Sequence, residues 1–149
     1  MKRIRIYTAF VLAIVLASCS TNKNVVGKSA SFYEFDETSK LSFILEQASS
    51  RNKLVFLDFH ASWCLPCKVM DEQLDSDPTL KRAIKEDYIT YKVDGEAGVG
   101  PDLMVIFAVK AFPTYLFLDP GGKVLGRQEG TMSNQELFEL TRASKRQTD

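Results

Sequence analysis

The sequence predicts an α/β fold in which a mixed central sheet is flanked by helices. Three observations point to it. Leu54 to Phe59 is apolar except for Asp58 and does not alternate, which reads as a central parallel strand buried on both faces. Segments with apolar residues at helical spacing separate the candidate strands. Late in the chain, Asp119-Pro120-Gly121-Gly122 turns into Val124–Arg127 and adds an antiparallel hairpin.

Phe32 to Phe35 is a candidate short first strand. Leu41, Ile44, Leu45 and Ala48 share one helical face, with a cap expected near Thr38 or Ser39. The strand over 54–60 comes next, then a helix from Cys64 on which Val69, Met70 and Leu74 recur at helical spacing. Asp77-Pro78 reads as N-cap and first residue of another helix, with Leu80 and Ile84 inward. Tyr88 to Val93 is a strand. Gly95 to Pro101 contains Gly95-x-x-Gly98-x-Gly100, but no Lys-Ser/Thr follows and no dinucleotide unit surrounds it, so it reads as a plain flexible loop rather than a phosphate cradle. Leu103 to Val109 is expected to be a helical crossover to the next parallel strand, Thr114–Leu118. The last helix runs from Ser133 to about Arg146. Ser133-x-x-Glu136 fits a capping box, and Leu137, Phe138 and Leu140 are expected in the core.

The chemistry is concentrated in Cys64-Leu65-Pro66-Cys67, where the central strand runs into a helix. Cys64 in the first helical turn lies near unbonded backbone N–H groups and the positive end of the helix dipole, and both favour thiolate. The thiolate is the attacking species in disulfide exchange, so Cys64 is predicted to be an exposed nucleophile that ionises below the free-thiol value of about 8.5. Cys67, one turn on and within disulfide reach, is assigned as the resolving thiol and the more buried of the two. Pro66 costs little near a helix start, and its locked φ holds the sulfurs in register. Asp58, inside an apolar run, should have a raised pKa and could accept the proton of Cys67. Structural zinc wants four ligands, whereas the chain offers only Cys64, Cys67, the remote Cys19 and a single histidine, His60. A purely structural disulfide across two residues would constrain almost nothing. The redox reading needs no metal or other cofactor.

Leu57-Asp58-Phe59-x-Ala61-x-Trp63-Cys64-x-Pro66-Cys67-Lys68 resembles the active-site signature of the thioredoxin family. Ala111 to Asp119 resembles that family's segment with a cis-proline before a strand. The resemblance implies a thioredoxin fold with Pro113 beside the thiols. It also implies a substrate-binding rim of Trp63, Pro66, Phe112 and Pro113, in which the Phe112 backbone pairs with an extended substrate segment. Met70-Asp71-Glu72 to Ser76-Asp77-Pro78, and Gly130-Thr131-Met132 to Glu136-Leu137-Phe138, resemble the branch that includes the periplasmic C-terminal domain of bacterial transmembrane thiol–disulfide interchange proteins. The chain departs from the family pattern in three places. Leu65 replaces the usual glycine, and His60 stands where an aromatic is frequent. No lysine occupies the buried position that pairs with the acid, where Thr90 is the nearest match.

Lys2, Arg3 and Arg5 followed by apolar Ile6–Leu16 read as a secretory signal, too short for an ordinary spanning helix. Leu16-Ala17-Ser18-Cys19 resembles a bacterial lipoprotein lipobox, which implies lipidation of Cys19 and leaves Cys64 and Cys67 as an even pair in an oxidising compartment. The expected organisation is a signal peptide over 1–18, a lipidated tether over 19–34 whose polar part runs from Ser20 to about Ala30, and a thioredoxin-like domain over 35–149. Ser20 suggests outer-membrane sorting in bacteria that use that signal. The full chain carries 19 basic and 19 acidic residues; loss of 1–18 removes three basic and no acidic ones. The mildly acidic remainder offers no ground for nucleic-acid binding.

The expected protein is a monomeric, membrane-anchored thiol–disulfide reductase facing the periplasm. It would act on disulfide-containing envelope proteins and be recharged by a membrane electron donor. The alternatives are an oxidase or isomerase built on the same site, and a thioredoxin-fold binding module for a partner protein or copper.

Overall fold

The structure is a computed structural model that describes residues 31–148. The expected signal peptide, Cys19 and the expected polar stretch from Ser20 to about Ala30 lie outside the described residues.

Among the described residues nine elements follow in order: α1 (Leu41–Ser50), β1 (Leu54–His60), α2 (Leu65–Asp75), α3 (Pro78–Asp87), β2 (Tyr88–Asp94), α4 (Gly100–Ile106), β3 (Thr114–Leu118), β4 (Val124–Glu129) and α5 (Asn134–Lys145). The sheet order is β2-β1-β3-β4. β1 pairs parallel with β2 and antiparallel with β3, and β3 pairs antiparallel with β4. The sheet is therefore mixed, with helices on both faces, as expected.

β3 is not the parallel strand the sequence suggested. It enters the sheet at the end where β1 leaves it, with Phe59 opposite Thr114. The connecting helix has 7 residues. At about 1.5 Å per residue it is too short to carry the chain back along a seven-residue strand. That helix starts earlier than expected, because Pro101 suits a first turn, and it ends at Ile106. Ala108 then takes a positive φ of 50°, and Arg127 donates from β4 to the carbonyls of Phe107 and Ala108.

Alternation along β1 separates two apolar layers. Phe56 points into a layer with Phe32, Met70, Leu74, Leu80, Ile84, Tyr88, Phe117 and Leu137. Val55, Leu57 and Phe59 point into the other, with Ile44, Ala48, Ile89, Tyr91, Leu103 and Leu116. Asp58 has the parity of Phe56 and so lies on the face covered by α2, where burying a carboxylate is costly.

Several local expectations change on packing. Phe32 to Phe35 is no strand: it makes one isolated bridge, Phe35 to Tyr91, yet Phe32 is buried in the core. The α1 N-cap is Lys40 without a side-chain cap, and the Thr38 hydroxyl and N–H donate to Asp36. The Asp77 cap and the Ser133–Glu136 capping box are present. Phe138 is exposed, since α5 buries Leu137, Thr141 and Ser144, and its next residue round points about 100° away from Leu137. The glycine loop is packed, not loose. A Cβ on Gly95 would meet Met104 and the Phe112 ring at 2.5 Å, and Gly98 has a φ of +54° with the Glu37 carbonyl against it.

Candidate active site

β1 delivers the chain to Ala61, and a turn through Ser62 and Trp63 sets Cys64 as the N-cap of α2, just before the first helical turn rather than inside it. Its sulfur takes the place a capping oxygen would have, accepting the Cys67 backbone N–H at 3.1 Å. Pro66 stands in the first turn. Cys64 and Cys67 are joined by a disulfide, with Cα atoms 5.3 Å apart.

The expectation of an exposed Cys64 and a more buried Cys67 does not hold in this oxidised state. The two cysteines are 2% and 4% exposed. Ala61 and Phe112 pack against them, while the neighbouring Trp63 and Leu65 are exposed, at 64% and 69%. The Trp63 ring meets Phe112 edge-on at 6.0 Å, and its indole N–H donates to Glu96 Oε2 at 3.0 Å. The Phe112–Pro113 peptide is cis. The structure thus brings Trp63, Pro66 and Phe112 together around the cysteines, with Pro113 following Phe112 at the mouth of β3.

Asp58 is 2% exposed. Tyr33 donates its hydroxyl to Oδ2 at 2.5 Å, and Oδ1 has no hydrogen-bond partner among the described residues. Burial, the largest influence, pushes the Asp58 carboxyl up to about 6, against the pull of Lys92 and the Tyr33 hydroxyl, with Asp71 adding to the rise. Lys92 is the lysine that sequence reading did not find. It lies opposite Asp58 in the parallel register, with Nζ 3.9 Å from Asp58 Oδ2 and 2.5 Å from Asp71 Oδ1. The signal was present: Asp58 and Lys92 each stand four residues after the start of their strands, Leu54 and Tyr88. Asp71, one helical turn after Cys67, completes the cluster. Burial and then Lys92 hold His60 below the ordinary imidazole range. Among the described residues no group of three or more His, Cys, Asp or Glu is arranged to hold a metal ion.

A thioredoxin-like family model matches residues 36–120, more than half of the chain. The chain is 29% identical over 119 residues to the thiol:disulfide interchange protein DsbD of Photorhabdus laumondii, a match that takes in 75% of this chain but 20% of that protein. Thioredoxin of Mycoplasmoides gallisepticum is 31% identical over 99 residues, with 64% of this chain and 89% of that one covered. A solution structure of a candidate disulphide-isomerase from Bacteroides thetaiotaomicron superposes with a TM-score of 0.67 at 26% identity, over 76% of this chain and 91% of that chain. The fold, the cysteine pair at the helix N-cap and these matches agree: the chain belongs to the thioredoxin-like family.

Proposed function

We propose that this protein is a thiol–disulfide oxidoreductase acting as a reductase in the bacterial cell envelope. The observation that carries the chemistry is the Cys64 sulfur at the N-cap of α2, receiving the Cys67 N–H. A thiolate in that position keeps a backbone donor and the helix dipole as stabilising partners.

The reduced Cys64 thiolate attacks one sulfur of a substrate disulfide, forms a mixed disulfide and expels the other substrate sulfur as a thiolate. Cys67 then attacks Cys64 Sγ, closes the Cys64–Cys67 bond and releases the second substrate thiolate. The substrate gains two electrons and the protein loses two. The proton of Cys67 is taken by the Asp58 carboxylate, whose pKa of about 6 leaves it mostly ionised near neutrality yet a stronger base than an ordinary aspartate. Trp63, Pro66, Phe112 and Pro113 form the rim that receives the substrate segment.

The envelope location rests on the Lys2–Leu16 pattern and the Leu16–Cys19 lipobox, and the DsbD match is in keeping with it. In this reading Cys19 carries the lipid, the monomeric domain meets disulfide-containing envelope proteins, and a membrane electron donor reduces Cys64–Cys67 again. Cys67→Ser tests the resolving role: it should accumulate mixed disulfides in cells, while Cys64→Ser should accumulate none. Equal capture by both variants, or by neither, sinks the assignment. The Cys64–Cys67 equilibrium against glutathione tests the direction, because a strongly oxidising couple would make the protein an oxidase or isomerase.

A further inference from the structure

We infer that Tyr33 is a positioning residue for the resolving step: its hydroxyl holds Asp58 Oδ2 and leaves Oδ1 as the oxygen that takes the Cys67 proton. The inference rests on the proposed reductase reading, in which Asp58 is the proton acceptor.

Tyr33 comes from the irregular segment before α1, far from the cysteine motif in sequence. The segment is pinned to the sheet. The N–H groups of Glu34 and Phe35 donate to the Thr90 carbonyl, and the Thr90 hydroxyl donates to the Phe32 carbonyl. The Tyr33 ring packs edge-on against Phe32 at 4.8 Å, and the Lys92 ammonium sits 4.8 Å from its centroid. The phenol ring is therefore held by packing against Phe32 and by the Lys92 cation.

The groups that face Asp58 come from every element around it. Tyr33 lies on the N-terminal segment, Lys92 on β2, Asp71 on α2, and Tyr115 opposite Asp58 on β3. Lys92 is closer to Asp71 than to Asp58. Among the described residues the Tyr33 hydroxyl is the sole hydrogen-bond donor to the Asp58 carboxylate. It fixes the carboxylate rotamer and stabilises its ionised form. In the step itself, the Cys67 S–H bond breaks and an O–H bond forms at Asp58 Oδ1. The Cys67 sulfur bonds to Cys64 Sγ, and the substrate sulfur leaves with the electron pair of the mixed disulfide. The Asp58 proton then passes to that departing thiolate and restores the carboxylate. Tyr33 keeps its own proton throughout.

Tyr33→Phe keeps the ring and removes the donor. The test is stopped-flow resolution of a Cys64–glutathione mixed disulfide, started by a jump from acid pH. Loss of the donor should move the acid limb of the rate up by about one pH unit, so the rate falls about fivefold near pH 6 and is almost unchanged near pH 8. A merely structural loss would lower the rate at every pH. Asp58→Asn serves as the reference, and the limb should vanish in it. If the limb vanishes there but Tyr33→Phe overlays wild type, the Tyr33 inference fails and the acceptor reading stands. If Asp58→Asn keeps the limb, the acceptor reading fails and this inference falls with it. A measurement on the reduced wild-type protein covers the case in which Tyr33→Phe does not fold. The Tyr33 Cζ resonance should titrate with the midpoint of the Asp58 carboxyl carbon, and a flat Cζ overturns the inference.

Discussion

Lys92 faces Asp58 across the β1–β2 register, yet its ammonium lies 3.9 Å from that carboxylate and 2.5 Å from Asp71. One cation thus serves a buried acid and a partly exposed one. Its charge lowers the Asp58 pKa, while Asp71 raises it. Lys92→Met should move the Asp58 midpoint up, and Asp71→Asn should move it down. Carboxyl carbon titration of the two variants checks this, and shifts of the same sign would show that the cluster does not control the acid.

Asp58 also makes stability depend on pH. Its folded-state pKa of about 6 lies above the ordinary carboxylate value, so the folded state binds more protons between about pH 4 and pH 6. Stability must therefore fall as pH rises through that window, by an order of magnitude of 3 kcal/mol for a shift of about two units. Asp58→Asn should raise Tm near pH 7 by several degrees and change it much less below pH 4. Equal changes at both pH values would mean that the carboxylate is not the cause.

The N-cap position of Cys64 makes a kinetic prediction. In the reduced protein, iodoacetamide should modify Cys64 well before Cys67, with a rate midpoint below about 8.5. Alkylation with the pH dependence of a free cysteine would remove the basis for the nucleophile assignment.

Ser144 is fully buried on α5, its hydroxyl has no partner among the described residues, and a Cβ on Gly126 would lie 2.3 Å from its Oγ. An unpartnered buried hydroxyl costs about 1 kcal/mol or more, and alanine is the better helix former. Ser144→Ala should stabilise the protein by about 1 kcal/mol in urea unfolding. A loss of stability would show that the hydroxyl has a partner after all.

Ala108 occupies the left-handed region that glycine tolerates better, at φ 50° just after α4. Ala108→Gly should leave stability unchanged or raise it by up to about 1 kcal/mol. A clear loss in the same assay would mean that the methyl group packs more favourably than its backbone strain costs.

Much of this was legible in the chain. The unbroken apolar run of β1, the Asp77 cap, the Ser133–Glu136 box and the cysteine pair at a helix start each depend on a few neighbouring residues. The site was legible as far as Cys64, Cys67 and the anomalous Asp58. Tyr33 was not, because nothing within its own segment shows that its hydroxyl reaches an acid 25 residues away. Phe138 reads as core because an apolar residue on an amphipathic helix is ordinarily buried, and only the orientation of α5 shows otherwise.

Capping, helical periodicity and strand burial are short-range effects, so most of the helices and strands and the reactive pair can be read from neighbouring residues. Which charge faces the buried acid, which way β3 runs and how deeply Cys64 lies depend on the folded packing. Those outcomes follow from strand register and from packing between distant segments, where a shift of one residue turns a side chain to the opposite face of the sheet.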